Sequence, residues 1–591
     1  MKLRINKIFI GGLLLGMMHA VFAQQETDSI DVQQVTVIKS FTPSLQDVFK
    51  IRQSPEDLAT LTVKKQTVTN TIFSVPVAST FVPTKGSARK LVTKKMAPQF
   101  NSRASIGFGN YNQLLAEYGT YYALDRRQKI DWLLRYNGML KDLTEVDLPT
   151  QQGNLMLSVA HQYATNKRNN FSQLTYRQDY HNFYGLRSPL TDEFVRENID
   201  PAQQLNYISM TTQWQWYEPW VKQLDLNAFL TTDAFSTTEA EVGFTSKIQT
   251  LFGGVAITAI PAFDYLSTSF AEDFYTRLPV DYSVGKGDLA LFASKIRGKF
   301  KFKTGARAVY GIGDEFSEKA LYVFPIASFS YLPEKGNFAP FLHVDGDLNL
   351  NSFRRYTMEN PYVAPGLEMN TSSVPYRGRL GTRSKFASGW EFAWNILYAK
   401  IDRHPLYRSL GIDIDRANII PYRYNNAFEV TYTNLTQTGV EARLQAAFKN
   451  GGKLSLMASY ADYQQVAEED EVVATDFSPN NLPQLRLTFD GTINLGKKIN
   501  VQWEINHWGE RDNEYRLSFL GQDLADAPVE KESLEAFTQV DTHLTYRLNE
   551  RWDVFLKGNN LLGEPTYRWS KYPVYGTQLL LGMRYNFDIG F

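Results

Sequence analysis

From about residue 100 onward, apolar and polar side chains alternate with period two. In the last stretch Leu579, Leu581, Met583, Tyr585, Phe587, Ile589 and Phe591 are apolar, while Gln578, Gly582, Arg584, Asn586, Asp588 and Gly590 fill the places between, and Leu580 alone breaks the pattern. Ile499, Val501, Trp503 and Ile505 interleave in the same way with Asn500, Gln502, Glu504 and Asn506, and Leu224, Leu226, Ala228 and Leu230 with Gln223, Asp225 and Asn227. Such alternation describes strands with one face on an apolar medium and the other on water or polar partners.

The spacing of turns sets the architecture. Compact turn signals fall at Asp125-Arg126-Arg127-Gln128, Thr165-Asn166-Lys167-Arg168, Glu218-Pro219, Gly253-Gly254, Arg297-Gly298, Pro333-Glu334-Lys335-Gly336, Ser388-Gly389, Asn450-Gly451-Gly452, Gly496-Lys497 and Asn549-Glu550. A soluble sandwich turns every 8 to 12 residues. The much longer intervals here each hold two membrane-crossing strands of about 9 to 11 residues and a longer loop. Two further strands precede the first turn, joined near Gly109-Asn110, and two follow the last. The expected fold is therefore all-β: a transmembrane outer-membrane β-barrel of about 22 antiparallel strands over residues 103–591, with short turns at one rim and long loops at the other. Without the two weakest turns, Gly253-Gly254 and Ser388-Gly389, the number would be 20. Trp214, Trp216, Trp220, Trp390 and Trp552 all lie near the short turns, where indole rings would sit at the headgroup level.

The N-terminus reads differently. Lys2, Arg4 and Lys7 precede the apolar run Ile8 to Met18, followed by His19-Ala20-Val21-Phe22-Ala23, the three-part pattern of a secretory signal peptide with cleavage expected after Ala23. Residues 24–102 form a short N-terminal segment, periplasmic or lumenal. Within it Lys85, Arg89, Lys90, Lys94 and Lys95 make a basic stretch, read as a solvated linker to the first strand in preference to the alternative, a periplasm-side contact with anionic headgroups or an acidic partner.

Composition narrows the chemistry. The 62 basic residues balance 62 acidic ones, which removes the electrostatic case for nucleic-acid binding. There is no cysteine, hence no disulfide, thiolate metal site or cysteine nucleophile, and none of the seven histidines pairs at helical metal-ligand spacing. His343, Asp345 and Asp347 share a predicted strand face and read as lumen lining; Glu468, Glu469, Asp470 and Glu471 read as a solvated outer loop. No enzyme, cofactor or metal constellation is expected. The expected surroundings are outer-membrane lipid and the barrel-insertion machinery.

Several segments resemble the barrel of TonB-dependent outer-membrane receptors in the form found in Bacteroidetes. Glu359-Asn360-Pro361-Tyr362-Val363-Ala364-Pro365 is similar to the family's NP-x-L-x-PE stretch, with Gly366 where the family prefers glutamate. Tyr432-Thr433-Asn434 with Thr438-Gly439-Val440-Glu441 resembles its N…GvE hairpin. Asn559-Asn560-Leu561-Leu562-Gly563, Tyr567 and Tyr572-Pro573-Val574-Tyr575-Gly576 resemble the closing unit, with Thr577 in place of the usual arginine. The resemblance implies that the terminal aromatics Tyr585, Phe587 and Phe591 are read by the insertion machinery. It also implies a plug domain before the barrel. Only some 80 residues are available for one, without the glycine-rich plug motifs, so the plug is expected to be missing or reduced. Asp31 to Lys39 resembles the family's entry strand, and Val35, Thr36, Val37 and Ile38 are the candidate TonB-contacting residues, by strand addition. The plain alternative is a remnant strand that contacts no transducer.

A 22-strand lumen left open would breach the membrane barrier, so something must fill it: the N-terminal segment, a partner, or inward-folded loops, with residues 355–375 and 400–425 the sequence's candidates. Three functions fit: a TonB-dependent-receptor-like importer, a non-transporting barrel subunit of an export or assembly complex with other envelope proteins, and a porin-like channel.

Overall fold

The computed structural model describes residues 100–591, apart from 188–189, 191, 219, 334–337, 368, 413–418, 467–476, 478, 517–527, 564–565 and 591. Ala23, Val35, Thr36, Val37, Ile38, the basic stretch Lys85 to Lys95, Phe591 and the acidic run Glu468 to Glu471 lie outside the described residues.

The described chain forms a closed antiparallel barrel of 22 strands. Consecutive strands pair from Ser102–Gly109 around to Gln578–Phe587, and the last strand pairs back on the first, from Ser102 opposite Phe587 to Gly109 opposite Leu580. Each expected short turn falls in sequence between two strands that pair with each other, including the two weakest: Thr238–Phe252 passes to Val255–Phe270 through Gly253 and Gly254, both at positive φ, and Ser372–Ala387 to Trp390–Ser409 through Gly389 at φ +84°. Above the barrel wall a further hairpin, Arg511–Arg516 with Val529–Leu534, continues the strands Ile499–Trp508 and Phe537–Arg547 into the outer loops. It adds no strand to the ring.

Leu580, the break in the alternation, explains how the ring closes. It faces the lumen and packs with Leu115 and Phe555 in a small buried cluster. Room for these side chains comes from two glycines: a Cβ on Gly582 would overlap the Phe555 ring, and one on Gly107 would overlap Leu580. Outward along the same strands point Ile106, Phe108, Leu579, Leu581 and Met583, all exposed on the lipid face. At the short-turn rim the aromatics gather in groups: Trp552, Tyr585 and Phe587; Phe300, Phe302, Phe329 and Tyr331; and Trp390 with Phe386 and Phe448. Trp220 is 65% exposed there. This is the expected aromatic girdle.

The lumen face is polar for much of its height. Asn500, Gln502, Glu504 and Asn506 form a ladder of amide hydrogen bonds, Gln502 to Asn500 at 3.0 Å and Asn506 to Glu504 at 2.7 Å. Asp345 and Asp347, separated by a β-bulge at Gly346, face different cations: Arg377 at 2.8 Å and Arg307 at 2.8 Å. Arg307 also meets Asp288 at 3.4 Å. These acids line the lumen, as expected, and their charges are spent on guanidinium groups of neighbouring strands.

Candidate functional site at the outer mouth

At the long-loop rim the polar wall gives way to an apolar core. Six loops from around the ring contribute to it: Leu148 from the second, Phe183 and Tyr184 from the third, Phe274, then Phe353, Tyr356 and Tyr362, Tyr422 and Ala427, and Trp569 with Tyr572. Wall residues that face inward near their outer ends complete it, among them Leu205, Tyr207 and Phe270. The result is a lid across the outer mouth.

Tyr572 is its centre. Its ring stacks on Tyr362 with centroids 3.4 Å apart and meets the edge of Tyr184 at 4.8 Å, and its hydroxyl donates to the Asn426 carbonyl. Burial holds the Tyr362, Tyr422 and Tyr572 hydroxyls well above the ordinary phenol range, so all three stay neutral. A second aromatic group joins Phe183, Phe235 and Phe274 around Tyr422 at 5.9, 4.8 and 6.2 Å. Trp569 joins the Tyr572 group through Phe428 and also meets Tyr407, and His181, edge-on to Tyr362 and Phe183, links the two groups. Edge and stacked ring pairs add to the apolar burial, about 0.5 to 1.5 kcal/mol each.

Buried polar groups fix the register of the loops. Arg423 is 1% exposed; it donates to the Phe274 carbonyl and to Glu272 at 3.2 Å, with its guanidinium over the Phe274 ring. Asn426 donates to the carbonyls of Phe183, 2.6 Å, and Pro421, 2.8 Å. Such a network demands one arrangement, because any partner withdrawn leaves a buried polar group unpaired.

The short helix Phe353–Glu359 seats the longest described loop on the wall. Ser352 caps its N-terminus, accepting from the Arg355 amide at 3.2 Å. Glu239, buried on the strand Thr238–Phe252, accepts from the Phe353 and Arg354 amides, each at 2.7 Å, so a wall carboxylate meets the positive end of the helix. Two residues along, Glu241 holds Arg354 in a bidentate pair. Beyond the helix, Gly366 sits at φ +72°, its carbonyl accepting from Phe274, and a Cβ there would overlap the Glu272 carbonyl. That contact excludes any side chain at this place.

Glu532, on the outer hairpin, ties three loops. It receives both guanidinium arms of Arg187 at 3.0 and 2.7 Å, the Ser570 hydroxyl, and the Asn513 amide at 3.0 Å. Burial opposes its charge, but the hydrogen bonds from Arg187 and Ser570 and the charges of Arg187 and Lys571 outweigh that and hold its carboxyl down to about 2. A cleft of about 220 Å³ is lined by the helix-capping Ser352 together with Glu241, Asp264 and Lys286 of the wall.

Of the residues singled out in the sequence, Tyr585 and Phe587 lie on the lipid face of the last strand, at the girdle. The proposed lumen-filling regions around 355–375 and 400–425 do enter the lid. The third loop and the hairpin Tyr567–Trp569 with Tyr572–Pro573 were not foreseen as parts of it. Their signal in the sequence was apolar residues at inward positions, such as Leu205 and Tyr207, where a water-filled lumen would take polar ones.

Together these features define a closed 22-strand barrel of the outer-membrane kind whose outer mouth is covered, among the described residues, by the chain's own loops. No family model matches the sequence, and no curated protein matches it. Solved structures do. The FrpB iron transporter from Neisseria meningitidis (F3-3 variant) superposes with a TM-score of 0.60 at 10% identity, over 83% of this chain and 82% of that chain. The siderophore receptor PirA from Acinetobacter baumannii gives 0.58 at 9%, over 84% and 81%. The pyoverdine outer membrane receptor FpvA from Pseudomonas aeruginosa PAO1 gives 0.54 at 10%, over 84% and 79%. At these identities the likeness is one of fold.

Proposed function

We propose that this chain is a gated importer of the TonB-dependent receptor type, lying in the outer membrane and seen with its outer mouth closed. The observation that carries the reading is the lid: a barrel with the fold of iron and siderophore receptors, a water-compatible lumen wall, and an entrance shut by loops that belong to the chain itself. In this reading residues 1–23 direct export, with cleavage after Ala23, and residues 24–102 act as a reduced plug whose Val35 to Ile38 strand pairs with TonB. Tyr585, Phe587 and Phe591 guide insertion into the membrane. A porin left permanently open is at odds with an entrance filled by a packed aromatic core. The density of that same core favours a second reading, a non-transporting barrel subunit of an envelope complex, for which a permanent seal would suffice.

A disulfide lock separates the two. Val363 and Phe428 are bridge partners, with Ala364 donating to the Phe428 carbonyl at 3.0 Å and Phe428 to the Tyr362 carbonyl at 2.9 Å. The bridge is parallel, and chains hydrogen-bonded side by side lie about 4.8 Å apart, which brings the paired Cα atoms within disulfide range. The chain has no cysteine of its own. In the import reading the Val363→Cys, Phe428→Cys double variant behaves like the deletion strain in competition on limiting nutrients, a thiol reductant restores it, and loss of the energy transducer gives the same defect. A deletion without any nutrient phenotype, together with stoichiometric co-purification of other envelope proteins, overturns import in favour of the second reading.

A further inference from the structure

We propose that the outer end of the lumen wall and the two hairpins above it together carry an oxyanion-binding site formed by Arg486, Arg511 and Arg568 around Trp508. The strands Leu485–Leu495 and Ile499–Trp508 place Arg486 directly opposite Trp508, and Trp508 shares the lumen face of Asn506 and Glu504. The three guanidinium groups lie 4.8, 5.5 and 5.3 Å from the centre of this one indole ring. Phe537, opposite Trp508 on the next strand, backs it at 5.7 Å and lies 5.1 Å from Arg511.

What singles the cluster out is the absence of acid. Arg307, Arg354, Arg377 and Arg408 each hold a carboxylate within 3 Å. Among the described residues no carboxylate forms an ion pair with any of the three arginines around Trp508, although Glu359 attracts Arg568 from farther off. Arg486 and Arg568 act on Arg511 as like charges. Cation–π contact with one indole offsets only part of that repulsion.

The roles within the cluster differ. Arg511 is 2% exposed and donates to the carbonyls of Arg568, 2.8 Å, and Tyr567, 2.7 Å, which fixes the outer hairpin; its Nε is buried without a partner. Arg486 and Arg568 keep exposed surface while their guanidinium groups lie over Trp508, so each can turn toward a ligand. Planar guanidinium forks match the oxygens of phosphate or carboxylate groups, and a ligand of two or more negative charges would relieve the mutual repulsion. Arg568 rides on the hairpin that also supplies Trp569 and Tyr572 to the lid, whereas Arg486 belongs to the wall. An anion held between them would pin the lid shut. This site does not depend on whether the barrel imports or only seals.

The test is titration calorimetry on the purified full-length chain in detergent, at constant ionic strength set with chloride, with pyrophosphate and citrate as separate probes. Saturable binding of either is expected, weakened at least about tenfold by Arg486→Gln and by Arg568→Gln, with Arg486→Lys recovering part of the loss. Preference for pyrophosphate assigns the site to phosphate groups, preference for citrate to carboxylates, and equal binding to oxyanions in general. Each variant is checked for a folded barrel by its heat-modifiable migration on gels. Absence of saturable binding up to millimolar concentrations, or binding that both Gln variants retain in a folded barrel, overturns the proposal.

Discussion

If the outer mouth is held by the aromatic core, removing its central ring must raise the population of open lids by a factor the structure sets. Tyr572 is 2% exposed, stacked on Tyr362 and enclosed so tightly that a Cβ on Gly185 would overlap its ring. Truncating a large buried aromatic side chain to alanine costs about 3 to 5 kcal/mol. At about 1.4 kcal/mol per factor of ten, that is a rise of roughly two to three and a half powers of ten in the open fraction. The reporter is a cysteine in place of Ala427, which is 1% exposed in the lid, in a chain with no other thiol. Its labelling by a polar maleimide requires opening, and with fast reclosure the rate follows the opening equilibrium. Tyr572→Ala should speed labelling by that factor. Tyr572→Phe, which gives up only the hydrogen bond to Asn426, should speed it by about tenfold or less. A Tyr572→Ala rate within about threefold of the parent would refute the argument, since it implies well under 1 kcal/mol of coupling between this ring and closure.

Three further outcomes follow from the geometry. Because the folded carboxyl of Glu532 is depressed to about 2 from its ordinary 4.5, its contribution to lid stability is complete above that ordinary value and is lost as pH falls toward the folded one. Labelling of the Ala427→Cys reporter with a pyridyl disulfide, which reacts in acid, should therefore climb between about pH 4.5 and 2, and Glu532→Gln should label faster at neutral pH and lose this component of the acid response. Leu581→Arg, on the lipid face, should cost about 2 to 4 kcal/mol of barrel stability in bilayers, measured by urea unfolding, whereas Arg584→Gln on the lumen face of the same strand should change it by less than about 1. Gly582→Val should block ring closure, because its side chain must enter the space of Phe555; the heat-modifiable folded band should be lost while Gly590→Val retains it.

The barrel was readable because its determinants are local. Each short turn announces itself within two to four residues, and Gly253, Gly254, Gly298, Gly389, Gly451 and Gly496 all occupy the positive-φ positions those turns need. Two-residue periodicity then fixes which face meets lipid. The lid is different in kind. Tyr184, Tyr362 and Tyr572 meet from positions hundreds of residues apart, and no local pattern pairs them. The motif around Tyr572-Pro573 showed in the sequence only as a family resemblance; its place at the centre of the lid depends on the closure of the whole ring. Arg423 and Asn426 were silent for the same reason, since their partners are carbonyls of other loops.

The change in character of the lumen wall with height bears on how the mouth can open. Low and midway, inward positions carry Asn500, Gln502, Arg307 and Asp288; near the outer end they carry Leu266, Val284, Val309 and Phe324, which pack in one cluster with Leu348 and with Phe316 of the neighbouring loop. Apolar residues there are stable only while loops cover them, so a lid that peeled away one loop at a time would expose wall and loop surface together at every step. The buried polar ties raise the same objection: withdrawing the loop that holds Arg423 strips a guanidinium of the Phe274 carbonyl and of Glu272 at once. Intermediate positions are therefore costly, and the loops should behave as an element with two states rather than as independent flexible arms. Opening is then favoured by whatever binds the open arrangement better, and the cheapest place to act is the hairpin carrying Arg568, Trp569 and Tyr572, which touches the aromatic core, the Glu532 network and the arginine cluster together.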